Sequence, residues 1–341
     1  MNCVQFQNIA VVGLQRVDAP VVVSSTSIED RLQSIMERAG YDAGLLYQLT
    51  GIAERRLWET GTSPSEAAAM AGQRAIEQSG VSADDIGVMI STSVGKDFVE
   101  PSVASLVHNK LGLSPTALNF DVSNACLGFL NGIEIIGTMI EQQLVDYGLV
   151  VCGESSREVL EATIERLNEP GYDLSKMRDQ LATLTLGSGG AAVVLGRASE
   201  HPNAPRVVGS VTRAATEHNE LCRGQRDWMK TDAAMLLVHG LQLAQQTFGA
   251  AKTHLDWTSD ALDHVAAHQV SATHTARVAE RLEIDLDKFC KIYPDYGNVG
   301  PASIPIALSL LDERNQLSDG DRIGLMGIGS GLNCAMMELR W

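Results

Sequence analysis

The sequence predicts an α/β protein whose sheets are covered on both faces by helices. Three observations carry this. Short runs rich in Val, Ile and Leu alternate with longer segments of helical period. The strand runs are almost wholly apolar, as in a sheet with no wet face. The second half of the chain repeats the kind of pattern found in the first, with no Pro/Gly/Ser-rich linker between them.

In chain order, Met1-Asn-Cys-Val-Gln-Phe-Gln reads as the start of a strand, and strands follow at 9–12, 86–91, 118–122 and 147–152. Ser27 opens a helix, with Asp30 three residues on as a weak capping box. Pro64 after Ser63 stands at a first helical position, and that helix runs through Gln78 to Gly80. The stretch 154–180 holds seven acidic residues and reads as a helical excursion over the surface. Strands are expected again at 187–195, 206–211, 264–267, 323–326 and 333–338, and helices at about 230–250, 273–283 and 302–313. We divide the chain into halves at 1–175 and 176–341. No repeat can be aligned between them, so the pattern is compatible with a duplicated fold without requiring one.

At 341 residues, 45% apolar and 20% charged, the chain can bury a large core. No apolar stretch approaches the length of a membrane span, and the first residues lack a basic, then apolar, leader, so a cytoplasmic protein is expected. A net charge of −16 argues against nucleic acid as a partner. An anionic carrier would need a local basic patch, for which Arg213, Arg223, Arg226 and Lys230 are the candidates, although they fit a solvated face equally well. Six cysteines occur without a CxxC pair or metal-ligand spacing, so no metal site is expected and thiols are.

The strongest local feature is Phe120-Asp-Val-Ser-Asn-Ala-Cys126-Leu-Gly-Phe-Leu130. A strand enters a Ser/Asn turn and Cys126 opens a helix, with apolar positions 126, 129, 130, 133, 136 and 140 on one face. A thiol there lies in the positive end of the helix dipole, which favours thiolate. Read alone, the position suits a nucleophile and a packed thiol equally. His268 ends an apolar strand, followed by Gln269, and Asn298 sits on a glycine-flanked turn before a helix. A lone residue of either kind is usually structural, but Cys, His and Asn at element ends together form a catalytic set. Gly327-Ile-Gly-Ser330-Gly, between strands, suits a loop presenting backbone N–H groups to an oxyanion.

The set Ser-Asn-Ala-Cys126-Leu-Gly, His268-Gln269, Gly-Asn298 with Ser303-Ile-Pro, and Gly-x-Gly-Ser330-Gly resembles the thiolase superfamily, in particular its ketoacyl synthase III branch. Gly51-Ile52 with Arg55-Arg56, and Leu186-Gly-Ser-Gly-Gly-Ala-Ala192, resemble that branch too. Within it, 93–105, 221–224, 297–303 and 327–334 are similar to the acyl-CoA:acyl-CoA condensing enzymes of bacterial long-chain olefin biosynthesis. The resemblance implies a five-layered αβαβα thiolase fold of two similar halves, a homodimer, and no cofactor, coenzyme A serving as substrate carrier. It implies that Cys126 attacks the first acyl thioester and that His268 and Asn298 donate hydrogen bonds to a thioester or enolate oxygen. The backbone N–H groups of Cys126 and Ser330 would form the other oxyanion hole.

Glu100, in Val99-Glu100-Pro101-Ser102, stands where the decarboxylating synthases typically carry an aromatic residue. The resemblance implies that it reaches the partner subunit's active site. A carboxylate held near an acyl chain could remove its α-proton and make decarboxylation unnecessary; the plainer reading is a first-turn acid on the helix after Ser102. Two features depart from the family. Tyr47-Gln-Leu-Thr50 replaces the arginine and tryptophan that hold coenzyme A, which leaves the 213–230 cluster, Arg213, Arg223 and Lys230 above all, as the expected grip. Leu325-Met326 stand where true thiolases place a second cysteine, and Cys334 beyond them reads as packing.

The expected reaction is non-decarboxylative Claisen condensation of two long-chain fatty acyl-CoA molecules to a β-keto acid, with downstream olefin-pathway enzymes as partners. The alternatives are decarboxylative condensation with a malonyl thioester, an ester-forming acyltransferase, or the inactive subunit of a condensing heterodimer.

Overall fold

The computed structural model describes residues 3–341, so Met1 and Asn2 of the first expected strand lie outside the described residues. The first half runs β1 (Cys3–Gln5), β2 (Ile9–Asp18), β3 (Val21–Ser24), α1 (Ser25–Arg31), α2 (Gln33–Ala39), α3 (Leu45–Thr50) and β4 (Glu54–Leu57). It continues through α4 (Pro64–Ser79), β5 (Ile86–Ser91), α5 (Val103–Leu111), β6 (Leu118–Asp121), α6 (Gly128–Glu141), β7 (Tyr147–Glu154), α7 (Arg157–Leu167), α8 (Met177–Gln180) and β8 (Gly189–Arg197). The second half runs β9 (Arg206–Ala214), β10 (Cys222–Gly224), β11 (Met229–Thr231), α9 (Ala233–His254), β12 (His264–Ala267) and α10 (Ala272–Leu282). It ends with α11 (Tyr293–Tyr296), α12 (Ser303–Glu313), β13 (Arg322–Gly329) and β14 (Asn333–Arg340).

Local chemistry accounts for the elements that frame the site. Ser63 Oγ accepts the Glu66 amide at 3.3 Å and Glu66 Oε2 accepts the Ser63 amide at 2.8 Å, a complete capping box ahead of Pro64. Ala67, Ala68, Ala71 and Ala75 are buried, so α4 lies close on the sheet. A side chain at Gly190 would meet the Ala67 carbonyl at 2.6 Å, so only glycine permits that approach. α1 begins at Ser25 and not Ser27, because Ser24 Oγ takes the Ser27 amide.

The strands fall into two sets with one topology. In the first, β6 and β7 flank β5 in parallel, β8 lies antiparallel to β7, and β2 antiparallel to β8. In the second, β12 lies parallel to β13, β14 antiparallel to β13, and β9 antiparallel to β14. A parallel bridge from Val265 to Phe289 takes the place of β6, and β1 extends the far edge on β9. The duplicated topology that the sequence left open is therefore present. The two sets join through one bridge, Ala10 to Arg206. The pairing of β8 with β7 and β2 also moves the division between halves to the 198–205 connection and away from 175/176. The acidic 154–180 excursion misled that boundary, because the strand completing the first sheet comes only after it.

Helices α6 and α12 lie between the sheets. Phe129, Leu130, Ile133 and Ile136 share one core with Ile304, Ile306, Leu308 and Leu311 and with strand residues of both sets. Helices α4 and α5 cover the outside of the first sheet, and α9 and α10 the outside of the second. The result is a five-layered αβαβα arrangement. At the end of β14, buried Glu338 accepts hydrogen bonds from Trp257 (2.7 Å), Arg322 (3.0 and 2.8 Å) and Arg340 (3.1 Å). No helix among the described residues is long and apolar enough to cross a membrane.

Candidate active site

Cys126 sits where β6 hands over to α6. One 3₁₀ turn, Ala125–Leu127, separates them, and Ala125 takes a φ of +45°, a strained value for a residue with a side chain. The turn is held from three sides. Leu127 N–H bonds the Asn124 carbonyl at 3.0 Å, Asn124 Nδ2 bonds Asn131 on α6 at 2.7 Å, and Asn333 Nδ2 bonds Asn124 Oδ1 at 3.1 Å. Gly329, next to Ser330, lies so close that a side chain there would stand 3.4 Å from the Cys126 amide. Cys126 and the Ser330 loop thus share one wall.

The thiolate expected from the helix dipole is not the resting state. Burial pushes the Cys126 thiol up to about 12, the Cys222 and Glu154 charges add to this, and its own amide only partly opposes it. Desolvation of a whole charge outweighs a half-charge at a helix end. Cys126 therefore rests as a thiol.

His268 follows β12 and is buried. Its Nδ1 lies 3.2 Å from the Gly300 carbonyl, which can only accept, so the proton is on Nδ1 and Nε2 offers a lone pair. Burial, then His274, lower its pKa to about 3 against the opposing Gly300 bond, so the ring is neutral. The sequence reading made His268 a donor. The structure makes the resting ring an acceptor at Nε2, which donates only after taking a proton.

Gln269 fixes the chain that leads to Asn298. Its Nε2 bonds the Cys290 carbonyl at 2.6 Å, and its Oε1 accepts the Ile292 and Tyr293 amides at 2.9 and 3.3 Å. The Asn298 main chain is clamped to Thr185 and Gly187, each at 2.9 Å. Its Oδ1 accepts the Gly300 amide at 3.0 Å, which turns Nδ2 outward as a donor. Gly300 itself has a φ of +54°, and its 3₁₀ turn, Gly300–Ala302, packs against the Cys126 turn. The turns that carry Cys126 and Asn298 and the strand end that carries His268 therefore adjoin at Gly300.

Glu100 does not join them within one chain. It is exposed, on a loop whose Val94, Phe98 and Val99 are exposed as well. The plainer reading of Glu100 as a helix acid fails, because Ser102 Oγ caps α5 and Asp121 takes the Val103 and Ala104 amides at 3.2 and 2.8 Å. The basic cluster is only partly a cluster. Arg223 and Lys230 pair across the β10–β11 hairpin and Arg226 stands at its tip, with partners Glu220, Asp179 and Glu158, whereas Arg213 is on β9. Cys334 is fully buried, as packing requires.

Two groups escaped the sequence reading. Glu154 ends β7, and burial pushes its carboxyl up to about 7, opposed by the Val94 amide, the Cys152 thiol and the Gly95 amide. An acid closing an otherwise apolar strand was the available signal. His274, on the first turn of α10, is partly buried, its Nδ1 is buried and unpartnered, and burial lowers its pKa to about 4. It borders a cavity of about 20 Å³ shared with His268, Met326, Ile328, Cys334 and Met336, room for a single water. Among the described residues no group of three His, Cys, Asp or Glu could hold a metal.

Residues 120–215 match the model for 3-oxoacyl-[acyl-carrier-protein] synthase III, and residues 253–341 match the model for its C-terminal part. The chain is 46% identical to the acyl-CoA:acyl-CoA alkyltransferase of Xanthomonas campestris, over 98% of this chain and 99% of the relative. It is 35% identical to the Shewanella oneidensis enzyme of the same description, over 95% and 96%. It superposes with a TM-score of 0.97 on a cysteine-to-serine form of Xanthomonas campestris OleA with bound lauric acid and lauroyl-CoA, at 46% identity over 98% of this chain and all of that one.

Proposed function

Because the chain belongs to the 3-oxoacyl-[acyl-carrier-protein] synthase III family of the thiolase superfamily, we propose that it condenses two long-chain fatty acyl-CoA molecules to a β-keto acid without decarboxylation. It is an acyltransferase of that superfamily, and the named relatives are acyl-CoA:acyl-CoA alkyltransferases. The tie of His268 and Asn298 to Gly300, whose turn packs on the Cys126 turn, carries the reading.

In the first half-reaction the Cys126 sulfur attacks the acyl carbonyl as its proton passes to the bare Nε2 of His268. The tetrahedral oxyanion is held by the backbone N–H groups of Cys126 and Ser330. Coenzyme A leaves as its thiolate and takes up a proton, leaving an acyl thioester on Cys126. In the second, Glu100 of the partner subunit removes the α-proton of another acyl-CoA. The enolate oxygen is held by Asn298 Nδ2 and by His268 once protonated. The enolate carbon attacks the Cys126 thioester, the cysteine sulfur departs and is reprotonated, and a β-ketoacyl-CoA forms. Its hydrolysis gives the β-keto acid, the substrate of later olefin-pathway enzymes.

Glu100 favours this over condensation with a malonyl thioester, which generates its carbanion by loss of CO2 and needs no such base. An exposed acid with no capping role, on a loop with exposed apolar side chains, suits delivery to a homodimer partner. Arg213, Arg223 and Lys230 remain the proposed coenzyme A grip. Six free cysteines agree with a reducing cytoplasm.

Purified protein is given myristoyl-CoA alone, with coenzyme A release followed and products extracted for mass spectrometry. A symmetrical ketone, one carbon short of two chains through spontaneous loss of CO2, supports the proposal. Myristate alone, or a product only with malonyl thioester and release of labelled CO2, sinks it. So does full activity in Cys126→Ala.

A further inference from the structure

Glu154 touches both parts of the site that approach from different directions. Its Oε1 accepts the Val94 amide at 2.7 Å and the Cys152 thiol at 3.6 Å, so it holds the root of the loop that ends in Glu100. On its other side, a side chain built at Gly300 would stand 3.7 Å from Glu154 Cδ and 3.9 Å from Oε2. The carboxyl therefore lies against the residue to which His268 and Asn298 are both tied. Trp58 Nε1 holds its main-chain carbonyl at 2.9 Å.

Among the described residues, the Glu154 carboxylate takes its hydrogen bonds from main-chain amides and the Cys152 thiol. The titratable groups facing it are the Cys152 thiol on its own strand and the Cys126 thiol on the turn opposite. Of the charged residues on the loop, Lys96 is engaged with Asp121 and Asp97 with Ser65, and Glu100 is exposed at its far end.

We propose that Glu154 is a positioning residue that couples the Glu100 loop to the Gly300 turn, so that base and polarising groups are set from one point. The inference rests on Glu100 acting as the base for the partner subunit. A carboxylate binds the Val94 amide more strongly than a carboxylic acid does. Because burial holds Glu154 near neutrality, the loop is held more tightly as pH rises through about 7.

The test uses the full-length protein with Glu154→Gln, which keeps shape and acceptor oxygen but loses the charge, and Glu154→Asp as the charged rescue. Hydrogen exchange of the 93–100 segment is measured at pH 6 and 8.5 and corrected for intrinsic rate. In parallel, the burst of coenzyme A release reports acylation and ketone formation reports condensation. Wild type should protect the Val94 amide more at the higher pH, and Glu154→Gln should remove the difference. Condensation kcat should fall roughly tenfold, as for one lost charge-assisted bond, with a flattened rise through pH 7 and a smaller loss in the burst. Glu154→Asp should recover part of both. Unchanged Val94 exchange in Glu154→Gln, or burst and condensation falling by one factor with the pH profile kept, overturns the proposal. If wild type forms no ketone, the proposed function fails, and the exchange measurement alone decides whether Glu154 holds the loop.

Discussion

His268 and Asn298 are bound to the same residue. His268 Nδ1 donates to the Gly300 carbonyl at 3.2 Å, and Asn298 Oδ1 accepts the Gly300 amide at 3.0 Å. One peptide unit to either side of Gly300 therefore fixes the tautomer of the imidazole and the flip of the amide. Rotation of that residue moves both groups at once.

Gly300→Ala tests this link. The φ of +54° costs a residue with a side chain about 1 kcal/mol or more, while the new methyl would meet Glu154 only at ordinary contact distance, 3.7 Å. The variant should fold with a small fall in Tm and lose roughly tenfold in kcat, the rate equivalent of about 1.4 kcal/mol. Steady-state kinetics beside a melt would check it; an unchanged kcat would mean that the link does not matter.

The Cys126 thiol, held up near 12, should react with iodoacetamide at a rate that climbs without a plateau from pH 6 to 10. Removing the proposed base in His268→Ala should slow the acylation burst by a factor on the order of 10² or more. A plateau near neutrality would point to a preformed thiolate.

His268 and His274 are kept neutral by burial, with pKa values of about 3 and about 4 against an ordinary 6.5. Below 6.5 the unfolded chain takes up protons that the folded chain refuses. Their contribution to stability is thus complete above pH 6.5 and is lost as pH falls towards 4, by up to about 1.4 kcal/mol per pH unit for each group. His274→Leu also removes an unpartnered Nδ1. Its melting temperature should decline less between pH 6.5 and 4.5 than that of wild type. Parallel declines would refute this.

Glu338→Ala should be far more damaging. It removes a fully buried carboxylate, leaving the buried indole N–H of Trp257 without its acceptor and the partly buried guanidinium of Arg322 without its counter-charge. Breaking such a pair costs about 3–5 kcal/mol, readable as a lowered denaturant midpoint. A loss below about 1 kcal/mol would place the network among surface pairs.

The sequence made strands visible where apolar runs are unbroken, as at 86–91 and 264–267, and it made Cys126 and Asn298 visible because each sits at a junction between elements. Two kinds of fact were out of its reach. The hydrogen-bond sense of His268 is set by a carbonyl at position 300, and the state of the Cys126 thiol by the protein around it. Neither is local. Glu154 was hidden for the same reason, since nothing near it in the chain tells that its carboxyl is turned inward to Val94 and Gly300. The boundary between halves was missed because the pairing of β8 with β2 spans most of the first half.

The placing of α6 and α12 between the sheets has a consequence for how such an enzyme can diversify. Each inner helix packs on both slabs, so a change of one methylene at Leu130 or Ile304 alters their separation without touching a hydrogen bond of either. The filling between the sheets can thus be retuned, residue by residue, while the turns around Cys126 and Asn298 and the strand end at His268 keep their own hydrogen bonds.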